Sequence, residues 1–179
     1  MMSRRFVLPL ILLSLCAFAR VAAAADALPP TDALKSFALL KTLEGDWTGP
    51  ITVDNPAWAT DKPAYIAMRV VSQGNALAHE YKETQLPAEL TVFYVDRDQL
   101  NLLHYCDFAN RPRLIARPSK DGKSVEFDLV EYSGSDIVGH VSHAVFTVVD
   151  ASHHTEEWTF LMPGDKAVHA RMDLKRVQP

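Results

Sequence analysis

Beyond Gly45 no stretch carries a helical stripe, and this absence constrains the fold more than any other feature. Apolar and polar residues alternate instead, in short runs separated by turn signals. Residues 64–73 form one run, closed by Gly74-Asn75, and residues 76–84 form the next, ended by Pro87. Leu90, Val92 and Tyr94 alternate with their neighbours up to a turn at 96–99. Runs at 100–106, 113–117, 125–129, 141–149, 156–162 and 167–177 follow, with Asp121-Gly122 as a hairpin signal and a loop at 133–139. About ten strands with short sequential connections predict an antiparallel meander. An open sheet of that size would leave exposed edges, and closure removes them. The predicted fold is therefore mainly β, an antiparallel up-and-down barrel of about 8–10 strands with a short N-terminal helix.

The helix precedes the strands. Thr31 or Asp32 can cap it, and Leu34, Phe37 and Leu40 or Lys41 form an apolar stripe over residues 33–43 that must lie against the barrel. Residues 51–63, with Asn55-Pro56 and Asp61-Lys62-Pro63, read as a loop in which Trp58 is a lid, a packing anchor or part of a cavity mouth.

Ahead of the helix the chain has the layout of a secretory signal. Arg4 and Arg5 are followed by an apolar run from 6 to 18 and the small residues Ala22 to Ala25. The run is too short for a membrane anchor, and Leu15 before Cys16 argues against lipoprotein processing. Cleavage after Ala25 leaves a single domain of 154 residues, 26–179, in a periplasmic or secreted location with no stable membrane anchor. Loss of three arginines takes the formal net charge from −4 to −7. An acidic chain without a basic cluster argues against nucleic-acid partners. Cys106 is left without an intramolecular partner. Oligomeric state has no signature in the sequence.

The stretch from Leu100 to Arg113 gathers the polar chemistry. Strand parity puts Leu100, Leu102, His104 and Cys106 on one face and Tyr105 on the other. His104 and Cys106 can reach a common point, as a metal site or a thiolate–imidazole pair, although a buried Cys more often behaves as a small apolar residue. His140 and His143 lie three apart, on opposite faces unless a bulge intervenes. His153-His154 sits at a turn and reads as solvated. Glu80, Tyr94, Arg113 and Glu157 could form a buried polar set or a solvated outer face. No compact metal-ligand motif and no nucleophile elbow is present, so no metal is predicted and the chain reads as a binding protein more than an enzyme.

Gly45-x-Trp47 at the first strand, His104-Tyr105-Cys106, Asn110-x-Pro112-Arg113, Gly139-His140 and Glu157-Trp158-Thr159-Phe160 together resemble secreted bacterial lipocalin-like (calycin-type) proteins without assigned activity. The chain has Arg111 where that pattern has Gln. The resemblance covers most of residues 26–179 and implies a calycin-type barrel, with Trp47 plugging the closed end and an arginine from the last strand, Arg171 or Arg176, stacked on it. It supplies no catalytic residue.

These readings converge on a barrel that binds a small, mainly apolar ligand. The ligand-binding residues expected are Tyr94, His104, Arg113, Phe127, Phe146, Glu157 and Trp158, with Leu102 and Met172 in the walls. Two alternatives share the fold: an isomerase or hydrolase using His104 or Glu157 as acid–base, and an envelope interaction protein whose barrel is filled by side chains. No cofactor is required, although His104 or His143 in an apolar barrel could ligate haem.

Overall fold

The computed structural model describes residues 31–82, 89–117, 120–135 and 137–178. The expected signal segment, its cleavage site, Cys16 and the break at Pro87 lie outside these residues. Helix α1 (Asp32–Lys41) leads into eleven strands. They are β1 (Gly45–Gly49), β2 (Ile51–Val53), β3 (Ala64–Val71), β4 (Ala76–Lys82), β5 (Glu89–Asp96) and β6 (Gln99–Tyr105). After them come β7 (Asn110–Ala116), β8 (Ser124–Gly134), β9 (His140–Asp150), β10 (His153–Met162) and β11 (Lys166–Arg176). Every described pairing is antiparallel, and β3 to β11 pair strictly in chain order. β1 joins β3 on one side and β11 on the other, which closes a ten-stranded barrel. β2 is an extra strand and the departure from the predicted loop at 51–63.

Pro50 explains that extra strand. β1 and β2 both run along β11, but only β1 also pairs with β3. Proline has no N–H to give a ladder, and its carbonyl still accepts from the Asp173 amide at 3.1 Å. Past Pro50 the chain keeps its hold on β11 and parts from β3. The wall is thereby loosened on one side, where the loop carrying Trp58 begins.

The two ends of the barrel differ. At one end α1 closes the interior, held at its start by the Thr31 hydroxyl, which accepts from the Leu34 amide. Such a cap contributes about 1 kcal/mol. Phe37 and Leu40 are buried as the stripe requires, but Leu34 is 45% exposed and Ser36 takes an inward place. Trp47 sits beneath the helix with its indole N–H donating to the Leu43 carbonyl at 2.8 Å. Arg176, not Arg171, lies over the indole at 4.1 Å. Its guanidinium also donates to the carbonyls of Thr42, Glu44 and Ala151. Gly45 has φ +144°, and a Cβ there would collide with that guanidinium. The Gly-x-Trp motif is thus a packing unit in which the glycine makes room for the arginine that covers the tryptophan.

Leu77, Phe93, Leu100, Leu102, Leu114, Val125, Phe127 and Phe146 fill the adjoining half. Phe93, Phe127 and Phe146 meet at centroid distances of 5.1 to 6.0 Å in tilted and edge-to-face pairs. Beyond this layer the interior becomes polar and then hollow.

Candidate functional site

The hollow half is a cavity of about 420 Å³, lined by both apolar and ionisable side chains. Ile51, Val53, Trp58, Phe108, Phe160 and Met172 form its apolar wall. Trp58 packs on Phe108 and Phe160, each at 5.6 Å, so the loop after β2 and the β6–β7 turn meet across the mouth. At the floor stand His79, Thr91, His104 and Trp158, with Glu89 and Asp107 beside them. Alternation delivers them. Leu77 and His79 share the inner face of β4, Thr91 and Phe93 that of β5, and Leu102 and His104 that of β6.

Below the floor lies a closed polar network centred on Glu156, which has no solvent exposure. His79 Nε2 donates to both carboxylate oxygens at 3.1 and 3.0 Å. His154 Nε2 donates to one at 3.0 Å, and Trp158 Nε1 to the other at 3.1 Å. Burial alone would raise the Glu156 carboxyl, but the adjacent His79 charge and the donors from His154 and His79 outweigh it and hold the group well below the carboxylate range. Burial likewise works against a charged His79, and Glu156 overcomes it and raises that imidazole above its ordinary value. An ionised pair is therefore fixed inside the barrel. His154 also stands edge-on to Trp47 at 4.2 Å, linking the network to the closed end.

A second group borders the cavity. His104 Nδ1 shares a hydrogen bond of 2.8 Å with the Thr91 hydroxyl, while Nε2 is buried without a hydrogen-bond partner and lies 3.9 Å from Glu89 Oε2. The Cys106 thiol lies 3.6 Å from Glu89 Oε1 and 3.6 Å from Asp107 Oδ1. Burial, reinforced by the neighbouring Asp107 charge, pushes the Glu89 carboxyl up to about 7. Burial and the charge on His79 bring His104 down to about 3, so this imidazole is neutral. Burial pushes the Cys106 thiol far above its usual range, which leaves it a thiol rather than a nucleophilic thiolate.

Of the residues expected to bind ligand, His104 and Trp158 line the cavity. Phe127 and Phe146 are fully buried in the packed layer beneath it. Tyr94, Arg113 and Glu157 stand on the outer face. Tyr94 is out because its neighbour Phe93 is in. Arg113 pairs with Glu131 at 2.8 Å and donates to the Asn101 side chain at 3.0 Å. Glu157 pairs with Arg171. The polar set of Glu80, Tyr94, Arg113 and Glu157 is accordingly a partly solvated outer face, and Glu157 cannot act on the cavity's contents. His154, expected at a solvated turn, is buried. A bulge at Ser142, where Thr159 pairs with His143 and Phe160 with Val141, turns both His140 and His143 outward. His140 stacks on Tyr132 at 4.0 Å, and His143 Nδ1 lies 3.0 Å from Asp128, so they bind different partners and His143 cannot ligate a group inside the barrel.

Glu89 escaped the sequence reading, and neither His79 nor Glu156 was expected to bind ligand. For Glu156 a signal existed, since Trp158 pointing inward requires the residue two before it to do the same. Asn110 and Gly139, both prominent in the sequence, do meet: the Asn110 side-chain amide donates to the carbonyl of Gly139 at 2.6 Å and of Ser135 at 3.1 Å. They clamp the corner between β7 and β9 and do not enter the cavity.

No family model matches the chain, and no curated protein does. Among solved structures it is similar to Rv2717c from M. tuberculosis, at 16% identity and a TM-score of 0.61, over 84% of this chain and 99% of that one. It is also similar to a DUF3598-family protein of unknown function from Nostoc punctiforme PCC 73102, at 9% identity and a TM-score of 0.52, over 77% of this chain and 48% of that one. At these identities the likeness is one of fold: the chain is a β-barrel that shares its architecture with these proteins.

Proposed function

We propose that this chain is a periplasmic or secreted lipocalin-like barrel that binds one small, mainly apolar molecule in its hollow half. The carrying observation is the cavity of about 420 Å³, in the range of small-molecule sites, with a mainly apolar wall and two imidazoles at its floor. His79 Nδ1 and His104 Nε2 are both buried without hydrogen-bond partners. A buried polar atom left unpaired costs about 1–3 kcal/mol, which a ligand with a polar end would recover. The ligand's apolar body would lie against Trp58, Phe108 and Phe160, and its polar end would face the histidines.

Trp58 and Trp158 both line the cavity and serve as reporters. Titration of the protein with a fatty acid, a retinoid and haem should give saturable tryptophan quenching with at least one of them at one equivalent. Native mass spectrometry without detergent should show the bound mass, and a Trp58→Ala substitution should weaken the complex. A protein that carries no ligand and is quenched by none of these probes would sink the proposal.

A further inference from the structure

We propose that Glu89, His104 and Cys106 form a binding site for a divalent transition-metal ion, Zn²⁺ by the chemistry of the donor set, in the wall of the cavity. One carboxylate oxygen, one imidazole nitrogen and one sulfur lie within 4.8 Å of one another. Zinc held at about 2.0–2.1 Å from N or O and about 2.3 Å from S has ligand atoms roughly 3.3–3.7 Å apart along the edges of its tetrahedron. The observed edges are 3.9 Å from His104 Nε2 to Glu89 Oε2 and 3.6 Å from Cys106 Sγ to Glu89 Oε1. These two separations use different oxygens of the carboxylate, and the three ligand atoms lie within 4.8 Å of one another, so closing all three onto one ion takes side-chain shifts of up to about 1 Å.

The unpartnered Nε2 is the independent sign of a missing ligand. His104 is 3% exposed, its other nitrogen is engaged by Thr91, and its free nitrogen faces the Glu89 carboxylate without touching it. Thr91 supplies what metal-bound histidines ordinarily have, a partner that fixes the ring so that Nε2 is the ligating atom. The backbone makes the geometry. His104 stands on the inner face of β6 and Cys106 directly follows the strand, and pairing of Leu90 with Tyr105 and Thr91 with His104 sets Glu89 across from Cys106. Sulfur beside nitrogen selects Zn²⁺ and its relatives over Mg²⁺ or Ca²⁺. Three protein ligands leave a fourth position, and with the ion on His104 Nε2 the polar end of a cavity ligand meets that position or His79 Nδ1 instead of His104 itself. Asp107, which also borders the cavity, can fill the fourth position, or it stays open to the cavity contents.

The group formed by Glu126, Asp128 and His143 provides the contrast. It lies on the outer face, and Arg117 already pairs with both of its carboxylates, so it serves as a control.

The test uses the untagged full chain, stripped by a chelator and titrated with Zn²⁺ and Co²⁺ alone, so that its result is separate from that of the organic-ligand titration. The expected result is one equivalent bound. Co²⁺ should give visible bands of tetrahedral intensity and a near-ultraviolet thiolate-to-cobalt band. Cys106→Ser should abolish the thiolate band, and His104→Gln should weaken Zn²⁺ binding at least about tenfold, while His143→Gln leaves it unchanged. Binding that survives His104→Gln within twofold, or a cobalt spectrum without the thiolate band, would overturn the site. Should the variants not fold, peptide-mapped alkylation of wild-type Cys106 decides: Zn²⁺ should slow it about tenfold or more, and absence of protection refutes the proposal.

Discussion

Two buried histidine–carboxylate pairs share one barrel interior and differ in charge. The His79 and His104 rings flank the Trp158 indole at 6.0 and 5.6 Å. Glu156 receives N–H donors from His79, His154 and Trp158 and is ionised. Among the described residues Glu89 accepts from the Asp107 amide at 3.4 Å and the Cys106 thiol at 3.6 Å, and burial beside the Asp107 charge pushes its carboxyl up to about 7. Burial acts in the same direction on both carboxyls. The number and charge of the donors decide which of them keeps its proton. In the first pair both carboxylate oxygens are engaged, and the network joins the cavity floor to the closed end. The second is incomplete and faces the cavity, and this is where the structure has room for something to bind.

Removing the central acceptor of the first pair should have the largest effect. Glu156→Gln leaves His79 buried without its counter-charge, and guanidinium unfolding should show a loss of about 3–5 kcal/mol near pH 6. The sign of the pH dependence follows from both shifts. Glu156 is depressed, so its contribution is present above its ordinary value of 4.5 and is lost as pH falls through its folded pKa. His79 is raised, so its contribution is complete below its ordinary value of 6.5 and is lost as pH rises through its folded pKa. The difference between wild type and variant should therefore peak between those two values and shrink on either side. A difference that is flat from pH 3 to pH 9 would mean that the pair is not ionised.

The incomplete pair should respond with the opposite sign. Between its ordinary value of 4.5 and its folded value of about 7, Glu89 keeps a proton in the native state that the unfolded chain has released. Wild-type stability therefore falls as pH rises through that window, by about 3–4 kcal/mol at about 1.4 kcal/mol per unit. Glu89→Gln should stabilise the protein by about 2–3 kcal/mol at pH 8 in the absence of metal and by almost nothing at pH 4. Equal denaturation midpoints for the two proteins at pH 8 would mean that Glu89 is solvated and not buried beside Asp107.

The contrast between these pairs also marks how far the sequence could be read. The alternation of Leu100, Leu102, His104 and Cys106, the Thr31 cap and the ordered hairpins all follow from local patterns that tertiary packing did not override. Side chains whose facing depends on a frame shift by one residue did not. Trp158 and Glu157, both expected to line one site, cannot both point inward, and where Tyr94 was expected inside it is Phe93 that faces the core. The bulge that turns His140 and His143 to the same face has no signature within β9, since it arises from the register against β10. Glu89 was beyond reach for a further reason. Its partners sit on the next strand, and only the β5–β6 register says that it faces Cys106. Arg171 and Arg176 are equal candidates for Trp47 by sequence, and the course of β11 separates them, with Arg171 alongside Glu157 and Arg176 over the barrel end.

The smallest effect probes how His104 is held. Thr91 is 1% exposed, and its hydroxyl is the hydrogen-bond partner of His104 Nδ1. Because His104 is neutral, one of its nitrogens carries a proton and the other a lone pair, and Thr91 can serve either tautomer by turning its hydroxyl. Free of metal, the tautomer depends on the surroundings of Nε2; with a metal on Nε2, Nδ1–H must donate to Thr91. Thr91→Val keeps the shape and removes the partner, so it should cost only about 1 kcal/mol of stability, since the ring loses one neutral hydrogen bond and gains an apolar contact. Long-range ¹H–¹⁵N spectra of the imidazole should show a single tautomer in the wild type with Zn²⁺ and a mixture in Thr91→Val. Thr91→Ser should restore the single form, which a merely space-filling role for the side chain would not predict. If all three proteins give the same ¹⁵N shifts, Thr91 does not orient His104, and the difference between the two histidines rests on the carboxylates alone.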